Sequence, residues 1–218
     1  MEKLNDVRGA IFDLDGTLLD SLWVWDEIDK RFLLRRGIDP PSDYLSVVNG
    51  MEFMQAAVYT IERFRLHERP ESLCEEWSAL AREAYAQEIP LKPYAKEYLA
   101  YLAGRGVRLG IATSSRPELY IPALERAGVH RLFSAATVTS EVPRGKQFPD
   151  VYLETAKRLG ISPADCAVFE DILHGVKSAK SAGFYTVGVA DAYSAADKEE
   201  ICRTADRYVE SFAALLPV

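Results

Sequence analysis

The sequence predicts an α/β protein whose parallel sheet is interrupted, after its first strand, by an all-helical segment. Two patterns predict this architecture. Short apolar runs alternate with helical segments along most of the chain, which is typical of parallel strands joined by right-handed crossovers. Between about Leu22 and Ile89, apolar residues recur at helical spacing with polar connections. With 218 residues, the chain fits one large domain or a core with a smaller inserted domain.

The expected elements follow in chain order. The predicted strands are 7–12, 107–112, 135–138, 166–169, 185–189 and 208–209. Helical faces in the insertion are formed by Leu22, Trp25, Ile28 and Phe32, by Phe53, Ala57, Ile61 and Phe64, and by Leu73, Trp77, Leu80 and Ala84. Further helices are predicted over 95–102, up to 127, over 149–159 and over 176–182. A proline-bracketed joint at 89–93 ends the insertion.

Composition limits the classes of partner. The net charge of -7 argues against a nucleic-acid binder with a broad basic field, but it allows an anionic small substrate if a metal reverses the local field. Cys74, Cys166 and Cys202 are far apart and lack metal-ligand spacing, which favours a reduced compartment. The chain shows no signal-peptide pattern and no run near the roughly 18 apolar residues of a membrane helix. We expect a cytoplasmic protein without nucleic-acid or membrane partners, as a monomer or weak dimer.

Two carboxylates, Asp13 and Asp15, directly follow the first apolar run. A buried strand excludes charge unless something pairs or binds it. We therefore expect both acids at the carboxyl end of the strand, where open α/β sheets bind ligands. Gly16 allows a sharp turn, and Thr17 can hydrogen-bond back onto that turn. A plain strand and turn with Asx capping is the alternative interpretation of this stretch.

Three later stretches place polar groups near other strand ends. Thr113–Ser115 end the second strand, Lys146 lies in a later loop, and Glu170 and Asp171 end the fourth strand. A parallel sheet brings such groups to one rim together with Asp13. Carboxylates are ligands for Mg2+, hydroxyls and helix N-terminal amides suit phosphate oxygens, and a lysine adds positive charge. The pattern predicts a phosphoryl-transfer site with a metal, an anion cradle and a nucleophile.

These stretches resemble the motifs of the haloacid dehalogenase superfamily, in the subgroup of β-phosphoglucomutase-like phosphatases. The matching stretches are Asp13-Leu14-Asp15-Gly16-Thr17, Ala112-Thr113-Ser114-Ser115, Gly145-Lys146-Gln147-Phe148-Pro149-Asp150 and 169–176. Their order and spacing match, and they frame nearly the whole chain. The resemblance implies a Rossmann-like core of residues 1–20 and 91–218 and a helical cap domain of residues 21–90.

The resemblance also implies a role for each motif residue. Asp13 would be the nucleophile that forms an aspartyl-phosphate, and Asp15 would be the general acid and base. Mg2+ would be held by a carboxylate oxygen of Asp13, the backbone carbonyl of Asp15 and Asp171, with Glu170 in support directly or through water. The phosphoryl oxygens would be held by Thr113, Ser114, Ser115 and Lys146. Lys146 would also offset the crowded negative charge.

The insertion departs from the pattern of the mutases in this family. Those enzymes resemble this chain, but they use a histidine and a basic residue of the cap. The position of the histidine falls at Trp25 here, and the region of the basic residue, residues 49–53, contains no lysine or arginine. We therefore favour hydrolysis of a small phosphorylated metabolite, such as a sugar or polyol phosphate. Candidates for substrate contact from the cap are Trp25, Asn49 and Glu52.

Two other functions remain open. A β-phosphoglucomutase-like phosphomutase would act on a β-hexose 1-phosphate with a bisphosphate primer. A binding or regulatory protein of the same fold would have lost turnover, although the intact Asp13, Asp15, Lys146 and Asp171 argue against that loss.

Overall fold

A single parallel sheet organises the larger part of the protein. The computed structural model describes residue 4 and residues 6–48 and 51–217. In these residues six strands pair in the order β3-β2-β1-β4-β5-β6, all parallel. They are β1 (Gly9–Phe12), β2 (Arg108–Thr113), β3 (Phe133–Val138), β4 (Cys166–Glu170), β5 (Tyr185–Val189) and β6 (Arg207–Val209). The predicted α/β class with a parallel sheet is confirmed.

Helices flank the strands and fill the interruption after β1. Those of the described residues are α1 (Val24–Leu34), α2 (Tyr44–Val48), α3 (Phe53–Phe64), α4 (Pro70–Gln87), α5 (Ala95–Gly104), α6 (Pro117–Arg126), α7 (Asp150–Leu159), α8 (Leu173–Ser181) and α9 (Lys198–Thr204). The sequence did not predict α2, which is only five residues long, or α9, where Ile201 alone is buried. Neither segment is long or amphipathic enough to show a helical period. No helix in the described part of the chain could span a membrane.

Contacts divide the chain into two compact units. One comprises Met1–Leu22 together with Ile89–Val218 and carries the sheet; we call it the sheet unit. The other comprises Trp23–Glu88 and carries α1 to α4; we call it the helical unit. Each unit has its own core, and aromatic side chains form much of the second one, where Trp77 packs edge-on against Phe32 and Phe53 at 5.5 Å between ring centroids.

The strand order reverses beside β1. Strands β2 and β3 extend from one side of β1, whereas β4, β5 and β6 extend from the other. In open α/β sheets, ligands bind at such a reversal, beyond the carboxyl ends of the strands. Since β1 is entirely buried and central, residues that follow it lie between those that follow β2 and β4. The topology therefore places Asp13 at the middle of the expected rim.

One face of the sheet is covered by α7. Val151 and Tyr152 of this helix share a buried apolar cluster with Ile11, Ala112 and Val168 of the three central strands. The close approach of α7 depends on Gly110 of β2, where a Cβ atom would lie 2.7 Å from Thr155 Cγ2. This packing brings the first turn of α7, which contains Tyr152, next to the carboxyl end of β4.

A chain of hydrogen bonds crosses the helical unit. Thr60 Oγ1 donates to the Ala56 carbonyl at 2.7 Å and lies 2.7 Å from the Tyr44 hydroxyl. That hydroxyl also lies 3.3 Å from Asp29 Oδ1. Because Tyr44 has one hydroxyl hydrogen and the nearer Thr60 oxygen needs it, a proton on Asp29 would complete the chain. Burial of the carboxyl raises the pKa of Asp29 to about 7, which favours that proton.

Replacing Asp29 with asparagine should change how stability depends on pH. The pKa of Asp29 is higher in the folded state than its usual value near 4. The protonated carboxyl group therefore stabilises the folded state fully below about pH 4, and this contribution is lost as the pH rises through about 7. Asparagine is neutral and can donate to Tyr44 at any pH. At about pH 8 we expect the free energy of unfolding of Asp29→Asn to be about 2 kcal/mol higher than that of wild type. This difference should shrink toward pH 4.

Urea titrations at both pH values measure this difference. The exposed Asp39 lies in the same unit, and Asp39→Asn is the matched control that should follow wild type. If wild type and Asp29→Asn lose stability with pH at the same rate, Asp29 is not the group that carries the proton.

Candidate active site

The strand ends bring most of the predicted site residues together. Asp13 directly follows β1, Thr113 ends β2, and Glu170 ends β4 with Asp171 next to it. Lys146 lies in the connection between β3 and α7. The Asp13 amide donates to the Phe169 carbonyl at 3.0 Å, so the chain after β1 is still aligned with β4. The predicted turn after Asp15 is present, and Gly16 adopts φ +84° there.

Three buried carboxylates form a cluster at this rim. Ligand oxygens of Asp13, Glu170 and Asp171 all lie within 4.8 Å of one another. Asp171 Oδ1 accepts from Thr17 Oγ1 at 2.8 Å, whereas its Oδ2 is buried and has no hydrogen-bond partner among the described residues. A buried carboxylate oxygen without a partner is costly unless a cation binds it. Oxygen donors at this spacing are the ligand set that a hard divalent cation takes, so these residues fit Mg2+.

The turn at Gly16 allows this cluster to be compact. A Cβ atom at position 16 would collide with Asp171 Oδ2 and lie 2.8 Å from Asp171 Cγ. Glycine therefore serves both the positive φ and the close approach to Asp171. Thr17 corrects one expectation: its hydroxyl donates to Asp171 and not back onto the turn, where the backbone amide of Thr17 already bonds the Leu14 carbonyl at 3.2 Å.

Lys146 brings a positive charge to this cluster. Its ammonium pairs with Asp13 Oδ1 and, at 2.8 Å, with Glu170 Oε2. Burial on its own lowers the pKa of Lys146, but the charges of Asp13 and Glu170 outweigh it and hold the pKa above its usual value. Lys146 therefore stays charged. Ser178 Oγ donates to the Lys146 carbonyl at 2.6 Å and anchors this connection to α8.

The cluster holds more negative charge than Lys146 offsets. Burial, followed by the charge of Glu170, raises the pKa of Asp13 well above its usual range, although Lys146 opposes this shift. The same two causes raise the pKa of Asp171, against the hydrogen bond from Thr17. A divalent cation would bring both carboxyl groups back to their ionised forms.

Asp15 is not one of the three clustered carboxylates, and it accepts hydrogen bonds from two hydroxyl groups. Ser21 Oγ donates to Asp15 Oδ1 at 2.7 Å, and Ser115 Oγ donates to Asp15 Oδ2. Asp15 is half-buried, so it is partly accessible to solvent. The sequence suggested that Ser115 contacts phosphoryl oxygens; in the structure its hydroxyl hydrogen is engaged by Asp15, and the phosphoryl contact stays a prediction.

The remaining hydroxyl residues lie at the end of β2. Thr113 is fully buried, and its Oγ1 accepts from the Ser115 amide at 3.0 Å, which shapes the turn after the strand. Ser114 is exposed just beyond the strand end. Their contacts with a phosphoryl group also stay predictions.

Sequence reasoning missed two residues that contact the site. Tyr152 donates its hydroxyl to Glu170 Oε2 at 2.7 Å, and Ser21 holds Asp15. Tyr152 lies on the apolar face of α7, where a tyrosine is indistinguishable from a core residue in sequence. A serine such as Ser21 before a helix is ordinarily interpreted as a helix start signal.

The candidate substrate residues belong to the helical unit. Trp25 of α1 packs edge-on against Phe53 at 6.0 Å between ring centroids, and Glu52 is exposed at the start of α3. Asn49 lies outside the described residues. Substrate contact by these three residues remains a prediction.

Comparisons with known proteins identify the family. A family model of haloacid dehalogenase-like hydrolases matches residues 7–183. Hexitol phosphatase A of Escherichia coli (strain K12) is 32% identical over 185 residues, 84% of this chain and 82% of that protein. Validoxylamine A 7'-phosphate phosphatase of Streptomyces hygroscopicus subsp. limoneus is 31% identical over 186 residues, 85% and 87% of the two chains. The chain belongs to the haloacid dehalogenase-like hydrolase family, so the resemblance of its motifs is confirmed.

A solved structure shares the fold. The crystal structure of CbbY from Rhodobacter sphaeroides in complex with phosphate superposes with a TM-score of 0.74 at 23% identity, covering 96% of each chain. At this identity the match supports the architecture, which is a parallel α/β sheet of the Rossmann-like type.

Proposed function

We propose that this protein is a Mg2+-dependent phosphatase that hydrolyses a small phosphorylated metabolite through an aspartyl-phosphate on Asp13. Family membership, with curated relatives named as phosphatases, makes it a hydrolase of phosphoric monoesters. One observation carries the rest of the proposal. Asp13 is paired with a buried lysine inside a carboxylate cluster that contains an unpartnered oxygen, Asp171 Oδ2. This arrangement suits a nucleophile, a phosphoryl group and a hard cation at one point.

The proposed reaction has two displacements. An Asp13 carboxylate oxygen attacks phosphorus, and the bond from phosphorus to the substrate oxygen breaks while Asp15 donates a proton to that oxygen. Asp15 then takes a proton from water, the water oxygen attacks phosphorus, and the bond to Asp13 breaks to release inorganic phosphate. The hydrogen bonds from Ser21 and Ser115 keep the Asp15 carboxylate oriented for both proton transfers.

Charge control accompanies both displacements. We propose that Mg2+ would be held by Asp13, Asp171 and the backbone carbonyl of Asp15, with support from Glu170, and would supply charge neutralisation for the phosphoryl oxygens. The proposed phosphoryl contacts from protein are Lys146, Thr113, Ser114 and Ser115. Because Lys146 already lies on Asp13, an incoming phosphoryl group would meet a positive charge at the nucleophile.

The substrate class is proposed from the relatives. Hexitol phosphatase A and validoxylamine A 7'-phosphate phosphatase carry the names of phosphorylated polyhydroxy compounds, which supports a sugar or polyol phosphate here. We assign the choice among such substrates to the cap domain proposed at residues 21–90, with Trp25, Asn49 and Glu52 as the first positions to vary.

Phosphate release from a panel of sugar and polyol phosphates tests this function. We expect release with Mg2+ that stops in EDTA, for at least one member of the panel. Conversion of a β-hexose 1-phosphate to its isomer without free phosphate, in the presence of a bisphosphate primer, would instead establish a phosphomutase. Binding of panel members with neither product would establish a non-catalytic protein of this fold.

A further inference from the structure

The Glu170 carboxylate is held by hydrogen-bond donors from three parts of the described chain. Its Oε2 atom accepts two hydrogen bonds, from Lys146 Nζ at 2.8 Å and from the Tyr152 hydroxyl at 2.7 Å. Its Oε1 atom is 3.4 Å from the Ile172 amide. Glu170 is fully buried, so each of these partners offsets part of the free energy needed to bury a carboxylate.

The protein leaves space for the contact between Tyr152 and Glu170. Gly175 of α8 lies directly against it, and a Cβ atom at this position would be 2.7 Å from Glu170 Cγ, 2.8 Å from Glu170 Cδ and 2.8 Å from the Tyr152 hydroxyl. The φ of Gly175 is not in the left-handed region, so glycine is needed here for space and not for backbone conformation. The packing of α8 against this contact therefore leaves no room for a side chain at position 175.

Tyr152 acts as a hydrogen-bond donor to Glu170. Its buried side chain carries one hydroxyl hydrogen, and the carboxylate oxygen 2.7 Å away can only accept it. A neutral donor on Oε2 shares that oxygen with Lys146 and leaves the lysine charge available to Asp13.

We infer that Tyr152 is a positioning residue of the site: its hydroxyl fixes Glu170 in the orientation that supports a divalent cation and keeps Lys146 on Asp13. The inference rests on the proposed function and deepens it. Without the hydroxyl, Oε2 depends on Lys146 alone, so the ammonium moves toward Glu170 and the carboxylate gains freedom to rotate. Loss of such an outer hydrogen-bond partner weakens metal sites by roughly 10- to 100-fold.

Calorimetric titration of the whole protein with Mg2+, without substrate, tests the inference. Tyr152→Phe removes one oxygen atom and should bind Mg2+ at least about tenfold more weakly than wild type. With a substrate from the panel, its kcat should fall while KM stays within about twofold, because the reacting groups and not the substrate contacts are disturbed. Tyr98→Phe is the matched control: Tyr98 is a buried tyrosine of the same unit that packs on Phe169 and Phe212, and its variant should behave as wild type.

The second variant, Gly175→Ala, keeps the Tyr152 hydroxyl but adds a Cβ atom against both that hydroxyl and Glu170, so the contact between them must be displaced. It should weaken Mg2+ binding at least as much, and wild-type Mg2+ affinity in Gly175→Ala alone would overturn the inference if Tyr152→Phe does not fold. Wild-type Mg2+ affinity in both variants would overturn the role of Tyr152 and leave the proposed function intact. A wild-type protein that binds no Mg2+ would overturn the inference and the metal dependence of the proposed function together.

Discussion

Asp13→Asn is expected to lower phosphate release by at least about a thousandfold, because an amide oxygen is a poor nucleophile and cannot form the aspartyl-phosphate. The fold should survive the change. Burial and the charge of Glu170 raise the pKa of Asp13, so a neutral side chain of the same size fits this position without the cost of a buried charge. We expect the free energy of unfolding of the variant to be no more than about 1 kcal/mol below that of wild type.

Phosphate release and urea unfolding of the same preparations check both parts of this prediction. Asp20 belongs to the turn that follows the nucleophile but is exposed, so Asp20→Asn is the control expected to retain activity. Near-normal release by Asp13→Asn would remove Asp13 from the role of nucleophile. Loss of folded structure would show that the pairing with Lys146 matters more for stability than we infer.

Lys146→Met is expected to destabilise the protein by about 3–5 kcal/mol in EDTA, because breaking a buried ion pair leaves unpaired charge in the interior. Lys146 is the cation that the structure places on Asp13 and Glu170, and Asp171 lies in the same cluster. Without it the carboxyl groups retain protons more strongly, so the loss should be larger at about pH 8 than at about pH 6. Mg2+ should restore more stability to the variant than it adds to wild type, since a cation then replaces the missing charge.

Urea unfolding with EDTA and with Mg2+ measures these differences. Lys177→Met is the control, because Lys177 forms an exposed ion pair with Glu200, and such pairs contribute roughly 0–1 kcal/mol. An unfolding free energy of Lys146→Met within about 1 kcal/mol of wild type would show that the carboxylates are not held in place by this lysine.

The parts of the site that follow strand ends could be predicted from sequence. Charged residues directly after an apolar strand have few structural explanations, so Asp13 and Asp171 are conspicuous in the chain. A parallel sheet then determines that these positions share a rim, and the motif order selects the family. The same reasoning located β5 at its observed bounds, Tyr185–Val189, because this run contains one aromatic and three β-branched residues.

The supporting contacts could not be predicted in the same way. Tyr152 and Asp29 both lie on helices, and their importance depends on groups from distant parts of the chain that packing brings to them. A helical period shows which face is buried but not whether a hydroxyl on that face finds a carboxylate. Ser115 illustrates the converse: its place beside the strand end was predictable, but its partner, Asp15, depends on the exact turn after β2.

The phosphoryl-enzyme itself provides the most direct test. Wild-type protein is mixed with Mg2+ and a substrate carrying labelled phosphate, quenched in acid during turnover, digested and analysed by mass spectrometry. We expect the label on the peptide that contains Asp13, absent from the same peptide of Asp13→Asn. Steady release of phosphate with no label on Asp13, or with the label on another residue, would contradict covalent catalysis at this site.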